Sequence, residues 1–427
     1  MSIIRNTMRG TRHYMQQIRK FNRNVRLLLL GSVLGGVAQG IISVDFNLYI
    51  VSLGIHPDDL GKILSAGPFA HALASIPIGF LGELLGYRTA FVAIYGIAGL
   101  SQLAQVATPN INLISIAAFV GGLALSGNFV VRLPFLAANV RDSERTHVFS
   151  VNSLLSSLTL AIGSLLAGHL PNLMKVFTNN LTLQYRYTLY LAGFFMLISV
   201  VPMFFITSHK KPEPHKISLY PYLWGMDDFT LKSAIIELFI GLTMGLILPF
   251  MNLYFINHLG TSREYFSTVA ALAVIPTTLA AAIGPLVASR MGDFRAIVAS
   301  RYIIPVATVA MALTASPAIA SGGYWLYRAL FTMGQALWFA YAMAAAAKRA
   351  KVATSAWLEI TFWLGQALAA LITGSLLADA NYVLPFYLSS GAAIATGVLT
   401  QLLVGQHERK SRKAKTATEC SELSTGG

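Results

Sequence analysis

Long apolar stretches constrain the fold of this chain more than any other feature of its sequence. Each stretch runs for about 20 residues with few charges, the length at which a helix spans the hydrocarbon core of a bilayer. A helix also satisfies its own backbone hydrogen bonds, which lipid cannot do. Twelve such stretches lie at roughly residues 27–51, 60–82, 89–107, 111–133, 148–170, 186–206, 233–256, 265–288, 296–315, 319–346, 353–378 and 382–404. The sequence therefore predicts an all-α membrane protein with twelve transmembrane helices.

The composition excludes a soluble protein. Hydrophobic residues make up 55% of the 427 residues and charged residues 11%, whereas a soluble domain carries about 25% charge. The first apolar stretch is longer than the core of a signal peptide, so we expect it to remain in the mature protein. The single cysteine, Cys420, lies in the polar tail, and the histidines are not spaced as metal ligands. We therefore predict no disulfide, no metal site and no cofactor.

The chain also repeats itself. It reads GIISVDFNLY at residues 40–49 and GLILPFMNLY at residues 245–254, which is 205 positions later. Each copy ends in Leu-Gly, and another glycine follows 32 residues after that one; these glycines are Gly54 with Gly86 and Gly260 with Gly292. A duplicated membrane protein is the natural interpretation, and duplication of this kind is typical of transporters.

The duplication predicts a domain organisation. Two six-helix bundles are expected at residues 26–206 and 233–405, joined by a polar linker at residues 207–232. A basic segment precedes them at residues 1–25, and a polar tail follows at residues 406–427. Most of the 31 Lys and Arg residues fall in the basic segment, the even-numbered loops, the linker and the tail. By the positive-inside rule we expect both termini in the cytoplasm, in a bacterial inner membrane. The net charge of +14 would then attract anionic lipids rather than nucleic acid.

A loop between the second and third stretches carries a motif. Residues 79–88 read GFLGELLGYR, which resembles the G-x-x-x-D-R-x-G-R-R loop of the major facilitator superfamily of secondary transporters. The pseudo-repeat at residues 285–295, PLVASRMGDFR, keeps an arginine and a glycine and lacks the acid. The resemblance implies two six-helix halves that alternate access. It also implies a conformational gate formed by Gly79, Glu83, Gly86, Arg88, Arg290, Gly292 and Arg295. The family's membrane arginine early in span 4 has no counterpart, since residues 117–121 read AAFVG.

Ionisable residues inside apolar stretches are functional candidates, because each must face protein or water rather than lipid. The predicted proton-coupling residues are Asp45, Glu237 and Glu359. Asp45 leads, because burial favours the neutral form of a carboxyl group, although Arg328 at a comparable depth would favour the charged form. The alternative is a permanently paired Asp45 that fixes helix packing. Glu237 and Arg301 lie near one membrane surface, where an arginine can reach the interface by snorkelling.

Polar side chains at helical spacing predict a substrate cavity. In span 10, Arg328, Thr332 and Gln335 share one face of an otherwise apolar helix, with Trp338 at its margin. The full set of predicted cavity residues is Gln39, Ser43, Asn47, Tyr49, Asn128, Asn252, Tyr254, Arg328, Thr332, Gln335, Trp338, Trp363 and Gln366. In span 4, Asn128 shares its face with Arg132, although an arginine beside Pro134 can simply end the helix.

These patterns favour a secondary transporter of a small organic or amphipathic compound, with protons and membrane lipids as its other partners. Export by proton antiport leads, because the cavity faces offer one acid among aromatic side chains. The alternatives are proton symport of a small polar or anionic solute or sugar, a lipid flippase, and a non-transporting receptor. Neither a phosphate-binding glycine loop nor a hydrolase motif is present, so we expect no enzyme activity. We also expect a monomer.

Overall fold

The computed structural model of the protein describes residues 21–75, 85–140, 144–207, 225–347 and 350–405. Within these ranges the chain is helical and contains no β-strand. Within these ranges, each predicted apolar stretch coincides with one long helical segment, and residues 76–82 of the second stretch lie outside the described residues. The segments run Arg23–Ser52 (α1), Pro57–Ala74 (α2), Tyr87–Ala107 (α3), Ile111–Ala138 (α4), Arg145–Leu173 (α5), Leu181–Phe204 (α6), Asp228–His258 (α7), Arg263–Met291 (α8), Asp293–Leu313 (α9), Pro317–Ala345 (α10), Lys351–Ala378 (α11) and Leu384–Val404 (α12). The predicted all-α fold is confirmed.

Ten of these helices are long and apolar enough to cross a membrane, judged by length and composition over the described residues. The other two are α2 and α10. Three charged residues near the start of α2 lower its hydropathy, and its described part is 18 residues long. Helix α10 has 29 residues, but Arg328 and Gln335 lower its hydropathy. Of these two helices, α10 carries polar side chains at predicted functional positions.

Short polar side chains set the starts of the helices. Free backbone N–H groups in the first turn need acceptors, and Asn, Asp and Ser supply them from the position before the helix. Five side chains accept such hydrogen bonds here, namely Asn22, Asn110, Asn180, Asp227 and Ser262. Inside α7, the regular helix gives way to a 3₁₀ turn at Leu248–Phe250, where Pro249 has no N–H to donate.

Two tyrosines show that the sequence repeat is also a structural repeat. The Tyr49 hydroxyl donates to the carbonyl oxygen of Val106 at 2.9 Å, and the Tyr254 hydroxyl donates to that of Met311 at 2.6 Å. Donor and acceptor are 57 residues apart in both pairs. The acceptors lie near the ends of α3 and α9. The same bond therefore ties α1 to α3 and α7 to α9.

Four glycines repeat in the same way. Gly54 and Gly86 have φ angles of 76° and 75°, and Gly260 and Gly292 have φ angles of 65° and 89°. Residues with a Cβ rarely adopt this left-handed conformation. The first member of each pair lies just after α1 or α7, and the second lies just before α3 or α9. The 32-residue glycine spacing in the sequence therefore marks two equivalent pairs of turns.

The described residues form two compact units. The first lies within Met1–Leu53 and Pro77–Ile217 and contains α1 and α3 to α6. In it, α1 packs on α5 and α6, and α3 packs on α4 and α6. Close approach of α1 and α5 depends on glycine, since a Cβ at Gly40 would lie 2.7 Å from the Gly163 Cα atom. The Asn24 amide also donates to Asn139 and to the Thr207 carbonyl, both at 2.9 Å, which joins α1 to the end of α4 and the segment after α6.

The second unit lies within Gly54–Ile76 and Ser218–Gly427 and contains α2 and α7 to α12. Helix α7 packs on α11 and α12, α10 packs on α8 and α9, and α2 packs along α11. Small residues again permit close contact: a Cβ at Gly245 would lie 2.8 Å from the Gln366 Cα atom, and one at Gly61 would lie 2.8 Å from the Gly374 Cα atom. Residues 54–76 thus group with the second unit, and the boundaries at 26–206 and 233–405 stay a prediction.

Replacement of Gly40 by Ala should destabilise the protein by about 1–3 kcal/mol, because the added methyl group has no room between α1 and α5. Gly322→Ala is the matched control, since no atom lies within 4 Å of a Cβ at that position of α10. The control should be neutral or stabilising by up to about 1 kcal/mol. Denaturant unfolding in detergent micelles measures both, and equal stability of the two variants would contradict the close approach.

Tyr49→Phe and Tyr254→Phe each remove one hydrogen bond to a buried carbonyl, so each should cost about 1–3 kcal/mol. Tyr49→Phe should cost more, because the Arg186 guanidinium also donates to the Tyr49 hydroxyl, at 3.2 Å. Thermal unfolding of the two variants and of the double variant checks this. A loss seen for one tyrosine alone would contradict the equivalence of the two bonds.

Candidate functional site

A buried acid lies in the second unit. Glu237 is nine residues into α7 and 2% exposed, which places it roughly 14 Å along the helix axis. Its carboxylate accepts two hydrogen bonds from α10, one from Gln335 Nε2 at 2.5 Å and one from Trp338 Nε1 at 2.6 Å. Gln335 and Trp338 are three residues apart and therefore share a face of α10. One donor reaches each carboxylate oxygen.

An arginine completes this group. Arg301 lies on α9 and is 2% exposed. Its Nη2 atom donates to Gln335 Oε1 at 3.4 Å, and its guanidinium lies 6.0 Å from the centre of the Phe331 ring. The position of Arg301 in the sequence would allow its side chain to snorkel to the membrane surface. The side chain is instead buried between helices. Glu237, Arg301, Gln335 and Trp338 are called the Glu237 cluster below.

Gln335 stands between the acid and the arginine. Its amide donates to Glu237 and its carbonyl accepts from Arg301. Among the described residues, no Lys or Arg nitrogen lies within 4.0 Å of the Glu237 carboxylate. Arg301 still acts on Glu237 electrostatically. The carboxylate is thus held by neutral donors and a nearby, indirectly bonded positive charge, and this arrangement can accommodate a change in its protonation state.

A second group joins α2 to α11. The rings of His71 and Trp363 stack with their centres 4.2 Å apart and their planes at 28°. Trp363 Nε1 donates to Glu359 Oε2 at 3.0 Å. His71 is 8% exposed, while Glu359 lies on the exposed side of α11. The structure therefore brings the predicted residues Glu359 and Trp363 together, and it adds His71 to them.

The first unit contains an arginine among neutral side chains. Arg132 of α4 donates through Nη2 to Ser32 at 3.0 Å, to Ser156 at 3.2 Å and to Asn152. Ser32 lies on α1 and the other two acceptors lie on α5. This group, called the Arg132 cluster, joins three helices. The neighbouring Tyr95 hydroxyl donates to Asn128 at 3.2 Å.

The predicted residues of α1 fall on two faces. Gln39 and Ser43 are exposed, whereas Asn47 is 5% exposed and Asp45 is fully buried. Exposed polar side chains in an apolar helix are typical of a water-lined surface. The roles predicted for these four residues stay predictions.

Other predicted cavity residues pack between helices. Tyr49 and Tyr254 make the repeated bonds described above, and Asn252 accepts from the next backbone N–H at 2.9 Å. Gln366 is 7% exposed and donates to the sulfur of Met244 at 3.7 Å. Each of these side chains has a partner within the protein, and its role in a substrate cavity stays a prediction.

The polar stripe of α10 is only partly buried. Arg328 and Thr332 are half-buried, and the Thr332 hydroxyl donates to the Arg328 carbonyl at 2.8 Å. The Arg328 Nε atom is buried without a hydrogen-bond partner among the described residues. Trp338, expected at the margin of the stripe, is completely buried because its ring nitrogen binds Glu237.

The gate predicted from the motif is partly described. Gly79 and Glu83 lie outside the described residues. Gly86 and Gly292 form the positive-φ turns, and the three arginines are exposed, namely Arg88, Arg290 and Arg295. Their role in a gate stays a prediction. Within the described ranges, no group of three His, Cys, Asp or Glu side chains could hold a metal ion.

Sequence reasoning missed two contributors to these clusters. Arg301 was interpreted as an arginine that can snorkel, and Arg132 as either part of a polar face with Asn128 or the end of a helix. The distances along their helices gave a signal for Arg301, since eight residues separate it from the start of α9 and nine separate Glu237 from the start of α7. Two opposite charges at similar depths can interact.

Known proteins resemble this chain. The uncharacterised MFS-type transporter YfkF of Bacillus subtilis (strain 168) is 24% identical over 131 residues, which is 31% of this chain and 32% of that protein. This match therefore spans about a third of the relative's length.

Solved structures share the fold. A crystal structure of a mutant of the nucleoside transporter NupG superposes with a TM-score of 0.74 at 12% identity, over 90% of this chain and 100% of that one. A crystal structure of a D-xylose-proton symporter gives 0.69 at 11% identity, over 89% and 98% of the two chains. The model of the Major Facilitator Superfamily matches residues 28–355. The chain is therefore a multi-pass membrane protein that belongs to the major facilitator superfamily of transporters.

Proposed function

We propose that this transporter couples the movement of a small organic solute to a proton, and that Glu237 binds and releases that proton. The observation that carries the proposal is the Glu237 cluster. The acid is buried, its two hydrogen-bond donors are neutral, and a glutamine separates it from the nearest arginine. A carboxylate held directly by an arginine would stay charged, whereas one held by neutral donors can take up a proton.

Protonation would reverse the hydrogen bonding at Gln335. A neutral carboxyl group has one O–H that must donate, and the Gln335 NH₂ group cannot accept. Gln335 would then turn its carbonyl oxygen toward Glu237 and its NH₂ group toward Arg301. The guanidinium of Arg301 has donors only, so it would lose its acceptor on α10.

A proton on Glu237 thereby changes the contacts of three helices. The ionised acid holds α10 through Gln335 and Trp338, and Gln335 holds α9 through Arg301. With the neutral acid, Arg301 loses its hydrogen bond to α10 and keeps its contact with the Phe331 ring. Two discrete arrangements of one hydrogen-bond chain are what a rocking transporter needs in order to respond to a proton.

The burial of Glu237 supports symport over an antiport mechanism in which the solute and the proton compete for the same carboxylate. A solute that competed directly with the proton would have to reach a carboxylate that is 2% exposed. In symport the solute and the proton can bind to separate side chains. The D-xylose-proton symporter has this fold, and its likeness to the present chain extends to the fold alone.

Export of an amphipathic compound by proton antiport is the second candidate. An apolar cavity of about 220 Å³ lies between α3 and α4. It is lined by Ile94, Ile97, Val120, Leu123 and other apolar side chains. A hydrophobic compound would gain from burial there. The orientation with both termini in the cytoplasm of a bacterial inner membrane is part of either proposal.

Glu237→Gln keeps the shape of the side chain and cannot carry a proton. In proteoliposomes it should abolish solute accumulation driven by a pH gradient, while exchange of labelled solute at equal concentrations continues. The solute is the compound that most raises the melting temperature of the purified protein in a screen of sugars, nucleosides, organic acids, lysolipids and amphipathic drugs.

Asp45→Asn and Glu359→Gln provide the comparison for Glu237→Gln, since both acids were proton-coupling candidates. If solute accumulation survives in Glu237→Gln and is lost in Asp45→Asn, the proton-binding residue is Asp45. That result would overturn the proposal. Stabilisation by sugars alone in the screen would end the antiport candidate.

Gln335→Leu removes the link between Glu237 and Arg301. It should reduce proton-driven accumulation as strongly as Glu237→Gln, and the double variant should be no worse than either single variant. Trp338→Phe is the matched control, because it removes one donor to the same carboxylate and keeps the link. It should lower the stability by about 1–3 kcal/mol and retain accumulation. Additive losses in the double variant would contradict the relay through Gln335.

A further inference from the structure

The Arg132 cluster differs from the Glu237 cluster in its charge balance. Arg301 interacts electrostatically with Glu237, whereas the only ionisable side chain that acts on Arg132 among the described residues is Tyr95. All of its hydrogen-bond acceptors are neutral. A positive charge inside a membrane bundle without an acid is costly unless water or an anion compensates it.

We propose that the Arg132 cluster binds the anionic group, a carboxylate or a phosphate, of the transported solute. This rests on the proposed function, because it assumes that the chain moves a solute through the bundle. The anion supplies the negative charge that the described protein side chains do not supply.

The Arg132 guanidinium is held in one orientation, and only one of its three nitrogens donates hydrogen bonds to described residues. All three of its hydrogen bonds leave from Nη2. Among the described residues, its Nε atom is buried without a hydrogen-bond partner, and its Nη1 atom makes no hydrogen bond and is not buried. Arg132 as a whole is half-buried. The side chain is thus held at one nitrogen while another remains free to donate to an oxygen anion.

Further donors lie beside it. Asn152 turns its Oδ1 atom toward Arg132, so its NH₂ group points elsewhere and makes no hydrogen bond with a described residue. The Ser156 hydroxyl accepts from Arg132, and its own hydrogen remains available. One arginine with neutral donors matches a single anionic group, and the planar guanidinium suits a carboxylate in particular.

The competing explanation is a structural clamp that joins α4 to α1 and α5. The two roles separate in the variant Arg132→Gln, which can still donate to Ser32 or Asn152 and has no charge. Under the clamp explanation, Arg132→Gln would change stability without changing the preference for anions over neutral analogues.

Binding to the full-length protein in nanodiscs of zwitterionic lipid tests the proposal. The probes are lactate, succinate, glycerol 3-phosphate and inorganic phosphate, each acid being paired with its neutral amide where one exists. Wild-type protein should bind at least one organic anion and not its amide, by calorimetry and by thermal shift. Arg132→Gln should weaken that binding about ten- to a hundredfold, as expected for the loss of charge-assisted hydrogen bonds, and Arg132→Lys should weaken it less.

Arg186→Gln is the matched control, since Arg186 is another arginine of the same unit, and its contacts are with Tyr49. It should leave anion binding unchanged. Equal affinity of wild type and Arg132→Gln for every anion, or binding by inorganic phosphate alone, would overturn the proposal. Loss of anion binding when the nanodisc contains phosphatidylglycerol would mark the site as one for a lipid headgroup, and that also overturns it.

Anion binding at Arg132 and proton binding at Glu237 can be tested independently. Glu237→Gln should bind the anion as wild type does and lose only proton-driven accumulation. Anion binding that depends on Arg132, together with accumulation that survives Glu237→Gln, would leave the anion site standing and remove the proton role of Glu237. Anion binding that does not depend on Arg132, together with accumulation that is lost in Glu237→Gln, would rule out the anion site and leave the proton role of Glu237 standing.

Discussion

The hydrogen bonding of one buried carboxylate connects three helices of the second unit. An ionised acid in a membrane bundle is tolerated only where donors reach its oxygens. Glu237 receives them from Gln335 and Trp338, so α7 and α10 are held in one register. Gln335 also accepts from Arg301, which brings α9 into the same chain of bonds. Packing and charge in this group are therefore set by the same contacts, which is why a proton on Glu237 would alter both.

The duplicated scaffold and the charges on it follow different rules. The tyrosine bonds and the positive-φ glycines occur twice, at equivalent positions. Ser32 lies 205 positions before Glu237, the same interval that separates the two Asn-Leu-Tyr segments. Where α7 carries an acid, α1 therefore carries a serine, and its donor is Arg132 of α4. The two units share the contacts between their helices. They differ in the ionisable side chains at equivalent positions.

The sequence predicted the helices well, because their limits depend on local properties. Apolar length located every described segment, and capping residues such as Asn110 and Asp227 fixed the starts. The candidate site was predicted less well. Helical phase gives the direction of a side chain around its own axis and does not identify the neighbour it meets. Phase therefore could not show that Arg301 is buried beside Gln335, or that the Trp338 ring donates a hydrogen bond to Glu237.

Two different arginine environments support the proposed responses to a proton and to an anion. Arg301 is compensated by an acid through a neutral amide, so its contacts change when that acid is protonated. Arg132 has only neutral acceptors among the described residues, so its field changes when an anion arrives. Glutamine is well suited to the first role, because its two ends can exchange donor and acceptor without a change in volume. Serine and asparagine suit the second, because they hold the guanidinium in place and leave its charge uncompensated for a ligand.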